Sequence, residues 1–437
     1  MGPWTHAFNS YRAPSENCLY VNVWAPRAPP HPLPVMVWIY GGGFVSGAGS
    51  VRIYNGVALA RRGVVVVNCN YRLGAFGFLA LPGLARESPH HSAGNYALLD
   101  QIAALRWVRK NISAFGGDPR NVTIFGQSAG AASVGLLLRS PLAQGLFQRA
   151  IIMSGQAALP MHGLMGGTPL AVAERQGQAW ARHLGVQGSG AQLVARLRAL
   201  PAAKILAGGT AHLGPITDGW VIRPGPGPRR QAEVMIGMVA DDIGVGYYGM
   251  GPRPRPTWAG YQSGLRRLCG AQAARCAALY PAKNAGQGRA ALTAGRQDRA
   301  RVSIAKWARR QLRYSPRVYT YYFNHAIPWP QHPEYGVFHS SELPYVFANL
   351  RLMQRPWGPE DYRLERQMSS YWLNFAKTGN PNGRGLPHWP PFNPNHQQTM
   401  ELGNRMGPMR LAPPRRLAFW RRHLKYPLGA GPVSAGK

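Results

Sequence analysis

The sequence predicts an α/β fold: a mostly parallel β-sheet covered by helices on both faces. Three observations carry that expectation. Short apolar runs with strand character recur at 19–23, 35–40, 64–69, 122–125, 150–153, 234–239 and 318–323. Most are near-continuously hydrophobic, which suits strands buried on both faces rather than on one. Segments with apolar residues at helical spacing lie between several of them, and strands alternating with helices make parallel crossover units. The chain has 437 residues, 45% hydrophobic and 15% charged, enough to bury one large core. That composition excludes a disordered tail protein, a small disulfide scaffold and a collagen-like chain.

Each element has its own signal. Residues 96–108 place Leu98, Leu99, Ile102 and Leu105 on one helical face, and 129–138 and 364–375 behave alike. Pro and Gly punctuate the chain at 26–34, 223–230, 251–256 and 390–394. Residues 257–315 form a helix-rich, Arg-rich stretch, read as a cap or side layer inside a single domain spanning 1–437. Residues 415–425 put Leu417, Trp420 and Leu424 on one face of a helix expected to pack on the body. Cys269 and Cys276 fall in apparently continuous helix, where seven residues span roughly 10 Å, too far for a disulfide. Cys69, inside an apolar run, reads as a buried thiol. Apolar stretches stay far short of the ~18 residues of a membrane span. The first residues lack a signal-peptide pattern, so a secreted or periplasmic location would require an incomplete N-terminus.

The charge is lopsided. Fifty Lys and Arg face 16 Asp and Glu, a formal +34, and 43 of the basic residues are Arg. Such a balance raises the question of a polyanionic partner. The basic residues are dispersed in separated pairs such as Arg266-Arg267 and Arg309-Arg310, without a nucleic-acid-binding module, so no specific nucleic acid is expected.

Chemistry concentrates in a few segments. Gly126-Gln127-Ser128-Ala129-Gly130 fits G-x-S-x-G, the pattern of a nucleophile elbow. The five letters alone are a weak signal, but the strand-like Asn121-Val-Thr-Ile-Phe125 precedes them and small helix-forming residues follow, which is the required strand–turn–helix setting. An acyl-transfer serine needs donors for a developing oxyanion. Tyr40-Gly41-Gly42-Gly43 follows directly on the run at 35–40, where an HGGG-type loop belongs, with Tyr for His. Hydroxyl activation needs a base oriented by an acid, in the order Ser, acid, His. Asp241-Asp242 ends the run at 234–239, and Asp218 is the runner-up. His325, His332, His339, His388, His396 and His423 all lie downstream, and pattern alone does not choose among them. Gly244-Val-Gly246-Tyr-Tyr-Gly249 spells a dinucleotide fingerprint, but Pro252, Pro254 and Pro256 forbid the helix that it needs.

The chain resembles the type-B carboxylesterases, the carboxylesterase and cholinesterase family of α/β-hydrolases, over nearly its whole length. The matching stretches include Ser15-Glu-Asn-Cys-Leu-Tyr-Val-Asn-Val-Trp24, Gly41-Gly-Gly-Phe44, Gly74-Ala-Phe-Gly-Phe78 and Ala114-Phe-Gly-Gly-Asp-Pro119. The elbow at 126–130 and Tyr371-Trp-Leu-Asn-Phe-Ala-Lys-Thr-Gly-Asn-Pro-Asn382 continue the series in the family's order. The resemblance implies an α/β-hydrolase fold with Ser128 as nucleophile, and with Gly42, Gly43 and Ala129 as oxyanion donors. It selects His339, in Phe338-His339-Ser340-Ser341-Glu342, as base and Asp242, in Ala240-Asp241-Asp242, as acid. No cofactor or metal is implied.

There are departures. Asp242 stands where the family usually has Glu, and Gln127 where it has a carboxylate beside the nucleophile. Phe8 falls about where the cholinesterase branch carries Trp, Cys18 has no upstream partner, and a leading segment usual in the family is not seen. The expected function is hydrolysis of carboxylic esters through an acyl-enzyme, with neutral or anionic esters preferred over choline esters. A catalytically silent homologue acting in binding or adhesion and a polyanion-binding protein remain as alternatives. Sequence leaves the oligomeric state open.

Overall fold

The structure is a computed structural model, and it describes residues 7–10, 13–155, 167–209, 213–224, 232–242 and 255–424. A nine-stranded sheet runs through its centre. In chain order its strands are β1 (Val21–Trp24), β2 (Leu33–Ile39), β3 (Val65–Cys69), β4 (Gly117–Gln127), β5 (Arg149–Met153), β6 (Glu233–Val239), β7 (Val318–Asn324), β8 (Gln398–Gly403) and β9 (Gly407–Arg410). Their spatial order is β1-β3-β2-β4-β5-β6-β7-β8-β9. Only the outer pairs, β1 with β3 and β8 with β9, are antiparallel; the six pairings between them are parallel. The expected mostly parallel sheet is therefore present.

The run at 64–69 shows why. All five residues of β3 are buried, so both faces of the strand need apolar cover. Two expectations shift. Leu19 and Tyr20, read as strand, are each 53% exposed, and β1 starts two residues later. The strand β4 begins at Gly117, well before its apolar core at 122–125. The alternating β8 and the short β9 lack the continuous hydrophobic signature that marks the interior strands.

Helices cover the sheet. Helix α1 (Tyr96–Asn111) buries Leu98, Ile102 and Leu105, and its Gln101 donates to the Ser133 hydroxyl at 3.0 Å. That serine belongs to α2 (Ala129–Leu137), whose nine residues are all buried. A helix apolar all round cannot face water, so α2 lies inside. Helices α3 (Trp258–Cys269), α4 (Ala273–Leu279) and α5 (Ala285–Gln311) follow the poly-proline break. A Cβ on Gly288 would come within 2.8 Å of Tyr261, so glycine lets α5 lie close along α3. Helix α6 (Pro359–Thr378) buries Tyr371, Trp372 and Phe375, and Tyr321 of β7 meets Trp372 edge-on at 5.2 Å.

The C-terminal helix α7 (Pro414–His423) packs as expected, with Leu417, Trp420 and Leu424 buried. The Trp420 indole donates to the Tyr280 hydroxyl at 2.7 Å, which in turn donates to Asp298 of α5 at 2.8 Å. Arg301 adds a 2.6 Å ion pair to the same buried carboxylate.

One expectation is overturned. Cys269 and Cys276 form a disulfide, with Cα atoms 6.4 Å apart. The helix does not continue between them. It stops at Cys269, Gly270 takes φ +56, a 3-10 turn spans Gly270–Gln272, and α4 restarts at Ala273. The chain reversal shortens what an unbroken helix would have made roughly 10 Å. Cys69 is a buried free thiol, and burial pushes its pKa up to about 12. Among the described residues no helix is long and apolar enough to cross a membrane. The Gly244–Gly249 motif lies outside the described residues.

Candidate active site

Four loops at the carboxyl ends of parallel strands bring the sequence-selected residues to one edge of the sheet, where open α/β sheets bind ligands. Ser128 follows β4 directly at φ +58 and ψ −123, a conformation that side-chain-bearing residues rarely hold. Its backbone N–H donates to the carbonyl of Met153 at the end of β5, and its carbonyl accepts from Ala132 in α2. The turn is tied on both sides. The flanking glycines are there for room. A Cβ on Gly126 would stand 2.6 Å from the Gly130 carbonyl and 2.7 Å from that of Ile39. Only a chain without side chains at 126 and 130 lets the elbow cross this close to the end of β2.

The glycine loop after β2 is fixed by aromatic rings. Tyr40, which replaces the His of the HGGG pattern, stacks on Tyr71 with centroids 4.5 Å apart, and the Tyr71 hydroxyl donates to the Tyr40 carbonyl at 2.6 Å. Phe44 meets Phe78 edge-on at 5.0 Å, and Gly74 donates to the Phe44 carbonyl, so the Gly74–Phe78 helix buttresses the loop. A Cβ on Gly41 would lie 2.9 Å from that of Ser128. Gly42, at φ +112, accepts from the N–H groups of Val45 and Ser46 through its carbonyl. Ala129 opens α2, where the first N–H groups of a helix have no carbonyl four residues back within the helix. The glycine loop approaches Ser128 at Gly41, and Ala129 follows Ser128 directly in the chain.

Acid and base are brought together by main chain. Just beyond the end of β6, Asp241 makes an isolated parallel bridge to Phe338 in the loop segment that follows β7, with Asp241 N–H donating to the Val337 carbonyl at 3.0 Å. The next residue on each segment is then Asp242 and His339. Asp242 Oδ1 lies 2.5 Å from His339 Nδ1, and both side chains are buried. The shorter acid reaches its histidine. Asp218, the runner-up, is spent on a turn, accepting from the Ser92 hydroxyl and the N–H groups of Trp220, Val221 and Ile222. Of the other histidines, His325 pairs with Asp361 at 2.9 Å. That carboxylate also accepts from Tyr345 and from Gly358 at the start of α6, a structural network.

Gln127 was read only as a lost carboxylate, yet it takes a place in the centre. It is buried, and its Nε2 lies 3.0 Å from His339 Nε2. With Nδ1 facing a carboxylate, a neutral ring carries its proton there and offers Nε2 as acceptor, so the Gln127 amide donates. Phe8 is buried edge-on against Phe338, centroids 6.1 Å apart, beside the histidine. Glu342, three residues after His339, is fully buried, and neither of its oxygens has a hydrogen-bond partner. Burial drives its pKa up to about 8, with the Asp242 charge adding to the rise. It is a neutral acid at pH 7. Nothing in the pattern of residues signals that state; it follows chiefly from desolvation.

The profile of the Carboxylesterase family matches residues 3–249 and 289–420. The chain belongs to the carboxylesterase family. It is 35% identical over 428 residues to a fumonisin B1 esterase of Sphingopyxis macrogoltabida, covering 90% of this chain and 74% of that protein. It is 36% identical to the para-nitrobenzyl esterase of Bacillus subtilis (89% and 79% covered) and 33% identical to the acetylcholinesterase of Bungarus fasciatus (98% and 75%). The chain is a carboxylic ester hydrolase acting on small-molecule esters, which favours the enzymatic reading over the silent one.

Glu342 gives this esterase a testable pH signature. Its folded pKa of about 8 exceeds the ordinary 4.5, so the unfolded chain releases this proton first as pH rises. The contribution to stability is full below 4.5 and lost as pH climbs to about 8, at about 1.4 kcal/mol per unit. Glu342→Gln removes the titration. Urea midpoints measured at pH 5 and pH 8 should show the variant gaining on the wild type at the higher pH; parallel changes in both proteins would refute a neutral buried acid.

Proposed function

We propose that the esterase is a serine hydrolase working through an acyl-enzyme, with Ser128 as nucleophile, His339 as general base and Asp242 as the acid that orients it. The observation that carries the reading is the 2.5 Å contact of Asp242 with His339 Nδ1, while Nε2 faces the Gln127-Ser128 turn. In the first half-reaction the Gln127 amide releases Nε2, and His339 takes the Ser128 proton there as the hydroxyl attacks the ester carbonyl. The N–H groups of Gly42, Gly43 and Ala129 hold the oxyanion as it forms, and the alcohol leaves with the proton from His339. Water activated by the same imidazole then releases the acid and frees Ser128. Asp242 keeps the ring in the tautomer that can accept at Nε2 and stabilises the imidazolium.

Neutral or anionic esters are preferred over choline esters. The carboxylate that would assist a quaternary ammonium is replaced by Gln127, and a formal +34 repels cations at long range. Phe8 lies beside Phe338 and offers a smaller π face than Trp. The disulfide between Cys269 and Cys276 fits an oxidising compartment, in keeping with a secreted or periplasmic enzyme.

p-Nitrophenyl butyrate turnover by the purified chain tests the mechanism: Ser128→Ala should lower kcat by roughly 10⁴-fold or more, and retained turnover would remove the serine from the reaction. Under matched conditions kcat/KM should be higher for ethyl butyrate than for butyrylcholine, and the reverse order would overturn the substrate preference. Gln127→Glu replaces a donor to Nε2 with a charge that favours imidazolium, so the acidic limb of kcat/KM should move up by about one pH unit or more. Asp242, on the Nδ1 side of the same ring, is unchanged in that variant; an unmoved limb would mean that Gln127 does not touch the working base.

A further inference from the structure

The far end of the sheet carries a second concave feature. Between the last turns of α5 and α7 lies a cleft of about 380 Å³, within the range of small-ligand pockets. Phe392, in its lining, donates its N–H to the carbonyl of Val318, the first residue of β7. Asp242 and His339 follow the opposite strand ends, so the length of a seven-residue strand, roughly 20 Å, separates the two places. Neither Ser128, Asp242 nor His339 lines the cleft.

Its chemistry is two-sided. Val302, Ala305, Phe392, Leu411 and Leu417 make an apolar floor, each under a tenth exposed. Above it stand Lys306, Arg309, Arg310, Arg313 and Arg421, and among the described residues no Asp or Glu lines the cleft. Two helix C-termini point their dipoles here, each equivalent to about half a negative charge. That offsets roughly one of the five cations, so the cleft stays strongly positive. The crowding is felt by Lys306, whose pKa is lowered by burial and by the neighbouring Arg310 charge. Its ammonium donates to the Leu424 carbonyl at 2.5 Å, which anchors the end of α7 at the cleft edge.

We propose that this cleft is a binding site for a small anionic amphiphile, a carboxylate with a short apolar tail. The tail lies on the Val302, Phe392 and Leu417 floor, and the carboxylate sits among guanidinium groups whose planar forks match its two oxygens. A bare inorganic anion leaves the floor uncovered, and a neutral amphiphile leaves the cations unrelieved. A polyanion needs a track of charge rather than one small concavity. Carboxylates of this kind are also what an ester hydrolase releases.

Calorimetric titration of the Ser128→Ala protein with sodium octanoate, octanamide and sodium sulfate tests the site. Octanoate should bind one to one and the other two at least about tenfold more weakly, the scale of a charge-assisted hydrogen bond and its apolar partner together. Arg309 and Arg313 are exposed at the rim, so Arg309→Gln with Arg313→Gln should keep the fold. That pair should cost octanoate about tenfold in Kd. In the Ser128 enzyme it should leave kcat/KM for p-nitrophenyl butyrate unchanged. Equal binding of octanamide or of sulfate would overturn the amphiphile assignment. Octanoate binding that ignores the Arg pair would put the ligand elsewhere and overturn the site. These outcomes do not depend on whether Ser128 is the nucleophile.

Discussion

A single backbone bridge beyond the ends of two strands, Asp241 to Phe338, is the constraint on which the active centre depends. The two segments are nearly a hundred residues apart in the chain, and side-chain attraction alone would have to offset the entropy of closing that loop. The sheet has already closed most of it: β6 and β7 pair in parallel over six residues, and the bridge then joins the residue just beyond β6 to a segment fourteen residues past the end of β7. Asp242 and His339 inherit their neighbourhood from the ladder. The bridge is why a side chain as short as Asp reaches the His339 ring.

The nucleophile side is set by a different kind of constraint, close approach. Gly126 and Gly130 let the elbow press against the end of β2, and that contact brings the glycine loop alongside Ser128. The loop's own shape is held by the Tyr40–Tyr71 stack and by Phe44 on Phe78. A loop held this rigidly needs no rearrangement to serve in the oxyanion role proposed for it. Strain at Ser128 is tolerated because hydrogen bonds to β5 and α2 pin both sides of it.

Several of the scarce carboxylates carry structural assignments. Asp298 joins α5 to α7 through Tyr280, Arg301 and Arg416. Glu233 pairs with both Arg149 and Arg317 at the start of β6. Asp361 binds His325 and Tyr345, and Asp218 orders a turn. Many arginines are left facing water. At the cleft between α5 and α7 several of them gather at the rim of an apolar floor.

What the sequence determined by itself was local or periodic. Buried parallel strands announce themselves because both faces must be apolar, and the elbow because only glycines flanking the serine permit the crossing. The stretch from Tyr371 to Asn382 was legible as a family pattern, although its role proves architectural: Asn374 and Asn382 fold the chain back after α6. Tertiary structure decided whatever depends on distance through space. The choice of Asp242 over Asp218 in geometry, the neutral state of Glu342 and the amide of Gln127 on the imidazole all arise from burial and strand register. The disulfide belongs here too, because a helix break at Gly270–Gln272 converts a rise along an axis into a chain reversal. Spacing along a chain measures none of these, since desolvation and contact exist only once the sheet has brought remote segments together.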